Sequence, residues 1–378
     1  MSKKIRVGVL FGGKSVEHQI SLLSAKNIVE AMDKDKYEVV LIGISRSGEW
    51  FLHEDLHKGL THANDAKLIQ LTETEENVAL VAREMGSPLV SLTEEKTDRS
   101  LDVIFPVLHG TYGEDGTMQG LLKLANIPFV GSGVLASAVG MDKDVMKRLL
   151  RDAGIPTAKF LTFTSHTRHT IDFDAVQAAV GLPFFVKPAN SGSSVGIAKV
   201  KHRSEFDAKV DEAFQFDHKI LIEEYIPGRE IECSVLGNEN PIASLPGEVI
   251  PQFEFQSYES KYFDDGGAIF EAPARLTQQE IDDVQALAIK AYQVLCCEGM
   301  ARVDSFLLKN GQVILNEINT LPGFTNLSMY PKMWEASGLP LSTLIDRLIE
   351  LALERSQKES RLKTTMVLKN KRPVVSDL

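Results

Sequence analysis

Cysteine is scarce in this chain of 378 residues: Cys233, Cys296 and Cys297 are the whole complement. An odd count with two adjacent members argues against a disulfide framework and fits a reducing compartment. No C-x-x-C or paired Cys/His spacing exists, so a zinc site has no signature either. Cys296 and Cys297 fall within the helical pattern VQALAIKAYQVLCCEG and read as buried packing. Long apolar runs are also missing. No segment approaches ~18 uninterrupted apolar residues, which excludes a transmembrane helix. The opening MSKKIRVGVLFGG holds a short apolar run broken by Arg6 and ended by Gly12-Gly13, so it reads as a strand and not as a signal peptide. Positive charge is in deficit: 41 Lys and Arg against 52 Asp and Glu leave a net charge of −11. That balance argues against a dedicated nucleic-acid binder, which needs positive surface for phosphates. Internal repeats and low-complexity tracts are absent as well.

What is present is a globular composition, 43% apolar and 25% charged, long enough for two or three cored domains. The first third alternates strand and helix signals. Residues 5–11 form an apolar strand, and Ser15 is placed to cap a helix over SVEHQISLLSAKNIVEAM. YEVVLIGI (37–44) and LDVIFPVL (101–108) read as further strands, with a polar, weakly periodic insertion over 45–100 between them. A Gly-rich loop (109–116) then leads into the helix TMQGLLKLAN. Such alternation implies a parallel sheet covered by helices. Beyond Gly131-Ser132-Gly133 the pattern changes to helices near 136–153, strands near 160, 184–187, 195–200 and 220–226, a long helix over 278–297, a hairpin and a final helix near 341–355.

One motif competes for the chemistry. GVLFGGKS, from Gly8 to Ser15, satisfies the phosphate-loop pattern G-x-x-x-x-G-K-[ST]. A P-loop NTPase or kinase is therefore the alternative reading. Against it, Val9, Leu10 and Phe11 suit the interior of a strand better than a loop, and no apolar run ending in Asp supplies the second magnesium motif.

The strongest local inference concerns ARVDSFLLKNGQVILNEINT (301–320). Asn310-Gly311 is the preferred two-residue hairpin turn. With Lys309 paired to Gln312, Asp304 falls opposite Glu317 and Arg302 opposite Asn319, all on one face. Opposed carboxylates ~5 Å apart repel each other. A hard divalent cation between them removes that penalty, and Asn319 adds an oxygen ligand. Arg302 beside them suits a phosphate. Two further stretches are weaker. LPFFVKPANSGSSVGIAKV (182–200) places Lys187 at a strand end before a flexible Gly/Ser loop, whose amides and hydroxyls suit phosphate oxygens. KILIEEYIPGRE (219–230) places Glu223, Glu224 and Glu230 around a strand edge that suits an adenine and ribose.

Taken together, FGGKSVEHQIS, LHGTYGEDGTMQG, GSGVLASAVGMDK, VKPANSGSSVG, LIEEYIPGRE, YESKYF, ARVD and NEINTLPGFTNLSMYP give the chain a resemblance to the D-alanine–D-alanine ligases of the ATP-grasp superfamily. These stretches keep the family order over nearly the whole length. The resemblance implies that Lys143 and Lys187 hold ATP phosphates, with Ser193 and Ser194 in the flap above them. It assigns Glu223, Glu224, Tyr225, Ile226 and Glu230 to ATP, Arg302 to the transferred phosphoryl group, and Asp304, Glu317 and Asn319 to the metal. Glu17 and His109 match the site of the first D-alanine. Ser193 and Tyr262 match the pair that links with Glu17 on closure. Gly323 matches an oxyanion donor, and Ser328 and Met329 the carboxylate site of the second D-alanine. Lys14 then belongs to a substrate-binding turn. The expected fold is a three-domain α/β ATP-grasp protein: residues 1–131 as an N-terminal parallel-sheet unit, 132–223 and 224–360 as the two units clamping ATP, and 361–378 as a tail. The implied reaction joins two D-alanines through an acyl phosphate for peptidoglycan precursors. It implies ATP as substrate, two magnesium or manganese ions, a cytoplasmic homodimer, and neither nucleic acid nor membrane as partner.

Overall fold

Along β1 (Ile5–Gly12), Val7, Val9 and Phe11 alternate with Gly8 and Leu10, and both sets are buried. A strand buried on both faces belongs in the middle of a covered sheet. In the computed structural model, which describes residues 3–53, 60–62, 69–72, 74, 76–81, 89–92, 100–252 and 268–363, β1 runs parallel to β2 (Tyr37–Ile44) on one side. β3 (Trp50–His53) pairs antiparallel with β2 at the sheet edge. Within the insertion, β4 (Leu60–His62) pairs with β5 (Ile69–Leu71) and β6 (Val78–Leu80) with β7 (Leu89–Ser91). β8 (Val103–Val107) completes the sheet on the other side of β1, giving the order β3-β2-β1-β8. Helix α1 (His18–Ala31) covers one face through Leu22, Ala25 and Ile28, and α2 (Thr117–Leu124) covers the other through Met118 and Leu122. The last helix of the described chain, Leu341–Glu359, also packs into the first of these cores through Leu344, Ile345 and Leu348.

Helices α3 (Val134–Met141) and α4 (Lys143–Asp152) lead into a second, antiparallel sheet. Its strands are β9 (Phe160–Thr164), β10 (Phe184–Pro188), β11 (Ala198–Val200) and β12 (Lys219–Glu224), in the order β11-β10-β12-β9. Phe184, Val186, Ile220 and Ile222 point to α5 (Phe173–Val180) and α6 (Arg203–Ala213). By alternation, Phe185, Lys187, Leu221 and Glu223 share the opposite face. The Gly/Ser loop joins β10 to β11, a strand-to-strand connection as its sequence suggests.

The third sheet holds β13 (Arg229–Gly237), β14 (Ile242–Ala243), β15 (Gly247–Pro251), β16 (Ala268–Glu271), β17 (Gly299–Leu307) and β18 (Val313–Asn319). Its order is β16-β15-β13-β17-β18, with β14 on the end of β13. Ile231, Cys233, Val235, Ala301 and Val303 pack against Val284, Ala288 and Ala291 of α7 (Gln278–Val294). The Thr277/Glu280 capping box starts that helix. Helices α8 (Met329–Ala336) and α9 (Leu341–Glu359) finish the described chain.

The phosphate-loop alternative falls, as the strand reading of Gly8–Ser15 expects: Val9, Leu10 and Phe11 are fully buried in β1, Lys14 is exposed, and the helix begins at His18. Three sequence expectations change. Ser15 therefore does not cap α1; its Oγ accepts from the Glu17 amide at 3.0 Å within the turn, and Glu17 itself holds the N-cap position. Cys296 is exposed, because α7 stops at Val294 and Cys296 takes a left-handed backbone (φ 56°) past its end; Cys297 is buried. The hairpin turn is also one residue longer than Asn310-Gly311. Leu308 N donates to Gln312 O at 2.9 Å, with Gly311 at φ 84°. A bulge at Asn316 offsets the extra residue: Ser305 pairs with Leu315, yet Asp304 pairs with Glu317 and Arg302 with Asn319. The expected pairing survives because two irregularities cancel.

Candidate active site

The register of the third sheet sets six polar side chains on one face: Glu230 and Glu232 from β13, Arg302 and Asp304 from β17, and Glu317 and Asn319 from β18. The two opposed acids are not left facing each other. Arg302 grips Asp304 with two bonds, Nε to Oδ1 and Nη2 to Oδ2, both 2.8 Å, and its Nε lies 3.3 Å from Glu232 Oε2. Glu317 Oε2 lies 3.3 Å from Lys143 Nζ. Asn319 Oδ1 accepts from Leu321 N at 2.9 Å. Each acid thus has a cation beside it, which corrects the expectation of unrelieved repulsion in the hairpin. The donor set remains all oxygen, two carboxylates and an amide, which fits a hard divalent cation.

A second group converges from α4 and the second sheet. Asp142 caps α4 by accepting from Asp144 N and Val145 N, both at 3.1 Å, which fixes Lys143 at the first helical position. Lys143 Nζ donates to Ser191 O at 2.8 Å. Glu223 is almost wholly buried and bridges two ammonium groups: Oε1 meets Lys187 Nζ at 2.8 Å and Oε2 meets Lys147 Nζ at 2.9 Å. Burial opposes its charged form, but the two lysines overcome this and hold the carboxyl down to about 2. Burial pulls Lys187 down too, and Glu223 outweighs it, leaving the ammonium raised above its ordinary range. Glu230 is exposed and close enough to add to that effect. Tyr225 is exposed beneath Lys199, whose Nζ stands 4.3 Å from the ring centroid, and Ile226 follows half-buried. Glu224 points the other way, accepting from Lys159 N at 2.7 Å, so its side chain does not join this group.

The third wall comes from the first sheet. Glu17 is buried at the start of α1 and accepts a hydrogen bond from Ser193 Oγ of the Gly/Ser loop. Ser193 and Ser194 hold left-handed φ angles of 50° and 60°, a costly conformation for non-glycine residues that clusters at functional loops. Gly110 is required beneath Glu17: it has φ 73°, and a methyl group there would fall 2.6 Å from Glu17 Oε2. His109 is buried, with Nδ1 donating to Leu321 O at 3.1 Å and Nε2 3.3 Å from Ser24 Oγ. Burial disfavours the imidazolium, but Glu114, 3.7 Å away, and Glu17 reverse this and raise its pKa. Ser328 stands at the N-cap of α8 with Met329 as the first helical residue, and its Oγ accepts from Thr325 N at 2.9 Å.

These walls line one open cleft, bordered by Glu17, His109, Lys143, Ser193, Arg302, Glu317, Asn319, Gly323, Ser328 and Met329 among others. Asp304, Lys187 and Glu223 are not part of this lining; the last two sit side by side on the second sheet. Tyr262 and the loop over 258–267 lie outside the described residues. Four site residues escaped the sequence reading. Glu114 lines the cleft from the Gly-rich loop, and Ser24 supports His109 while accepting from Phe324 N at 3.1 Å. Glu232 alternates with Glu230 on β13, and Lys147 follows Lys143 by one helical turn. Strand and helix periodicity carried the signal for the last two.

The rejected phosphate loop yields a direct contrast. Lys14→Ala should leave ATP affinity unchanged within error, whereas Lys187→Ala should weaken it about 10- to 100-fold, the range of a charge-assisted hydrogen bond. Equilibrium binding of ATP to both variants checks this, and equal losses would mean the phosphates sit elsewhere.

Known proteins bear on this geometry. A family model for the D-ala D-ala ligase N-terminus matches residues 6–132, and one for the D-ala D-ala ligase C-terminus matches residues 149–350. The D-alanine–D-alanine ligase of Oceanobacillus iheyensis is 52% identical over 362 residues, covering 96% of this chain and 99% of that protein. The solved D-alanine-D-alanine ligase from Coxiella burnetii superposes with a TM-score of 0.82 at 41% identity, covering 95% of this chain and 97% of its own. The VanG D-Ala:D-Ser ligase from Enterococcus faecalis does so at 0.81 and 35% identity, over 93% of this chain and all of its own.

Proposed function

Because the chain belongs to the D-alanine–D-alanine ligase family, we infer that the cleft described above is where two D-alanines are joined at the expense of ATP. The protein is an ATP-dependent ligase that forms D-alanyl-D-alanine, a step of peptidoglycan synthesis. The observation that carries the site assignment is convergence: Lys143, Arg302, Glu317, the Glu17–Ser193 pair and Ser328 come from all three sheets and their helices onto one cavity.

The chemistry follows from their positions. A carboxylate is a poor acyl donor in water, so the first D-alanine is activated by attack of its carboxylate oxygen on the γ-phosphorus of ATP, with ADP leaving. Lys143, Lys187 and Arg302 hold the phosphate oxygens in line and stabilise their charge. Arg302 must exchange one carboxylate partner for a phosphoryl oxygen; Glu232, at 3.3 Å, remains to orient it. Asp304, Glu317 and Asn319 would hold the divalent cation, magnesium or manganese in one or two copies. When bound, the ion neutralises phosphate charge as a Lewis acid. Glu17 receives the ammonium of the first D-alanine, and His109 sits deeper in that wall. The amine of the second D-alanine then attacks the acyl carbon, whose oxyanion meets the Gly323 amide, and phosphate departs. The carboxylate of this second substrate lies at the N-terminus of α8 near Ser328 and Met329, where unpaired N–H groups favour an anion. Ser193 carries the flap over Glu17 and, with Tyr262, closes the site against water, which would otherwise hydrolyse the acyl phosphate. ATP lies between the units 132–223 and 224–360, its adenine against Glu223, the Glu224 backbone, Tyr225, Ile226 and Glu230. The working assembly is taken to be a cytoplasmic homodimer.

Phosphate release with ATP, magnesium and a panel of D- and L-amino acids tests this reading. D-alanine should drive release together with D-alanyl-D-alanine. Equal release with L-alanine, or release independent of any amino acid, would refute it.

A further inference from the structure

Lys147 has no place in the reaction just described, yet it is among the most completely buried side chains of the protein, 1% exposed. Lysine is almost never buried to this degree without a partner, and a leucine or methionine would fill the same space without the cost of desolvating a charge. Its position is set by the cleft. Lys143 and Lys147 are one turn apart on α4, so both ammonium groups project from the same helix face. Lys143 reaches the cleft lining; Lys147, one turn deeper, reaches Glu223 at 2.9 Å. Around it lie Met146 and Leu150, which pack into the core shared with the third sheet, so α4 is held firmly on its apolar side.

The carboxylate of Glu223 is divided between two cations, Oε1 to Lys187 and Oε2 to Lys147. Were Lys147 absent, Lys187 and Glu223 would form a closed neutral pair. An incoming phosphate would then have to pull Lys187 from a buried carboxylate with no other partner, which is expensive at low dielectric. With Lys147 present, the trio carries one surplus positive charge. Lys147 stays beside Glu223 Oε2, at 2.9 Å, while Lys187 turns to the phosphate.

We propose that Lys147 is a positioning residue for the nucleotide: it takes up the charge of Glu223 so that Lys187 remains available to the ATP phosphates. This rests on the reading of Lys187 as a phosphate ligand. Burial lowers the pKa of Lys147, Glu223 opposes that shift and the Lys187 ammonium adds to it.

The test is a charge cycle on the full-length protein, read by calorimetric titration with magnesium and a non-hydrolysable ATP analogue. Lys147→Met should weaken analogue binding at least 10-fold and raise the KM for ATP similarly, with kcat changed less than about threefold. Lys147→Arg should recover most of the loss. In the Glu223→Gln background, where no carboxylate remains to be neutralised, Lys147→Met should cost less than about threefold. Equal losses in both backgrounds, or no loss in either, would overturn the proposal; a purely packing role gives the former. If Lys147→Met alone does not fold, the double variant decides. It should bind the analogue within threefold of Glu223→Gln alone, and binding 10-fold weaker than that parent would overturn the proposal. Failure of wild type to bind the analogue would instead refute the ATP site itself, and unchanged binding in Lys187→Ala would refute Lys187 as its ligand.

Discussion

Arg302→Met should lower kcat about 10³-fold or more while the KM for ATP rises by less than about 10-fold. The guanidinium is already in the cleft, held bidentate by Asp304 at 2.8 Å and close to Glu232 at 3.3 Å. Its planar fork matches the oxygens of a transferring phosphoryl group, whose charge is spread over positions that only the transition state presents fully. Interactions made mainly in the transition state appear in kcat and not in KM. Arg302→Lys keeps the charge and loses the fork, so it should recover only a small part of the rate. Steady-state kinetics on the two variants check this; a Met variant within 10-fold of wild type would remove Arg302 from the chemistry.

Glu317→Gln should cut activity about 10²-fold at limiting magnesium and shift the magnesium requirement upward at least 10-fold, with little change in thermal stability. The stability expectation comes from its surroundings. Glu317 is about a third exposed, and its ion-pair partner Lys143, at 3.3 Å, also donates to Ser191 O. The pair is open to solvent only on its Glu317 side, and the buried Lys143 keeps its bond to Ser191 O in the variant, so the loss to folding stays small. A magnesium titration of activity alongside a melting curve separates the two effects, and normal turnover at ordinary magnesium concentrations would exclude Glu317 as a ligand.

Much of this was legible in the chain because strand periodicity is rigid. The alternation of Arg302 with Asp304 and of Glu317 with Asn319 keeps each pair on one face of its own strand, the bulge at Asn316 brings the two pairs to the same face, and the buried neighbours Val303 and Ile318 show which face is which. The turn itself was misread, since Asn310-Gly311 is a strong local signal that the three-residue loop and the bulge at Asn316 override together. The P-loop alternative falls on the chain alone, because Val9, Leu10 and Phe11 suit a strand interior, and the fold buries them between two helical layers. Nothing local marks Ser24 and Glu114 as buried polar residues, and for Lys147 and Glu232 periodicity gives the face without giving the burial. Lys147 becomes conspicuous only when Glu223, 76 positions away, is found against it. Glu232 becomes so only when β13 and β17 are seen in register.

The route through an acyl phosphate leaves a trace in the product. In the ligation described, a carboxylate oxygen of the first D-alanine attacks phosphorus, stays on it, and departs with it when the amine of the second D-alanine takes the acyl carbon. With D-alanine carrying ¹⁸O in its carboxylate, one labelled atom should therefore appear in each phosphate released with D-alanyl-D-alanine. Mass spectrometry of the phosphate reads this directly. Phosphate carrying no label, formed in step with the dipeptide, would contradict the mechanism at its centre.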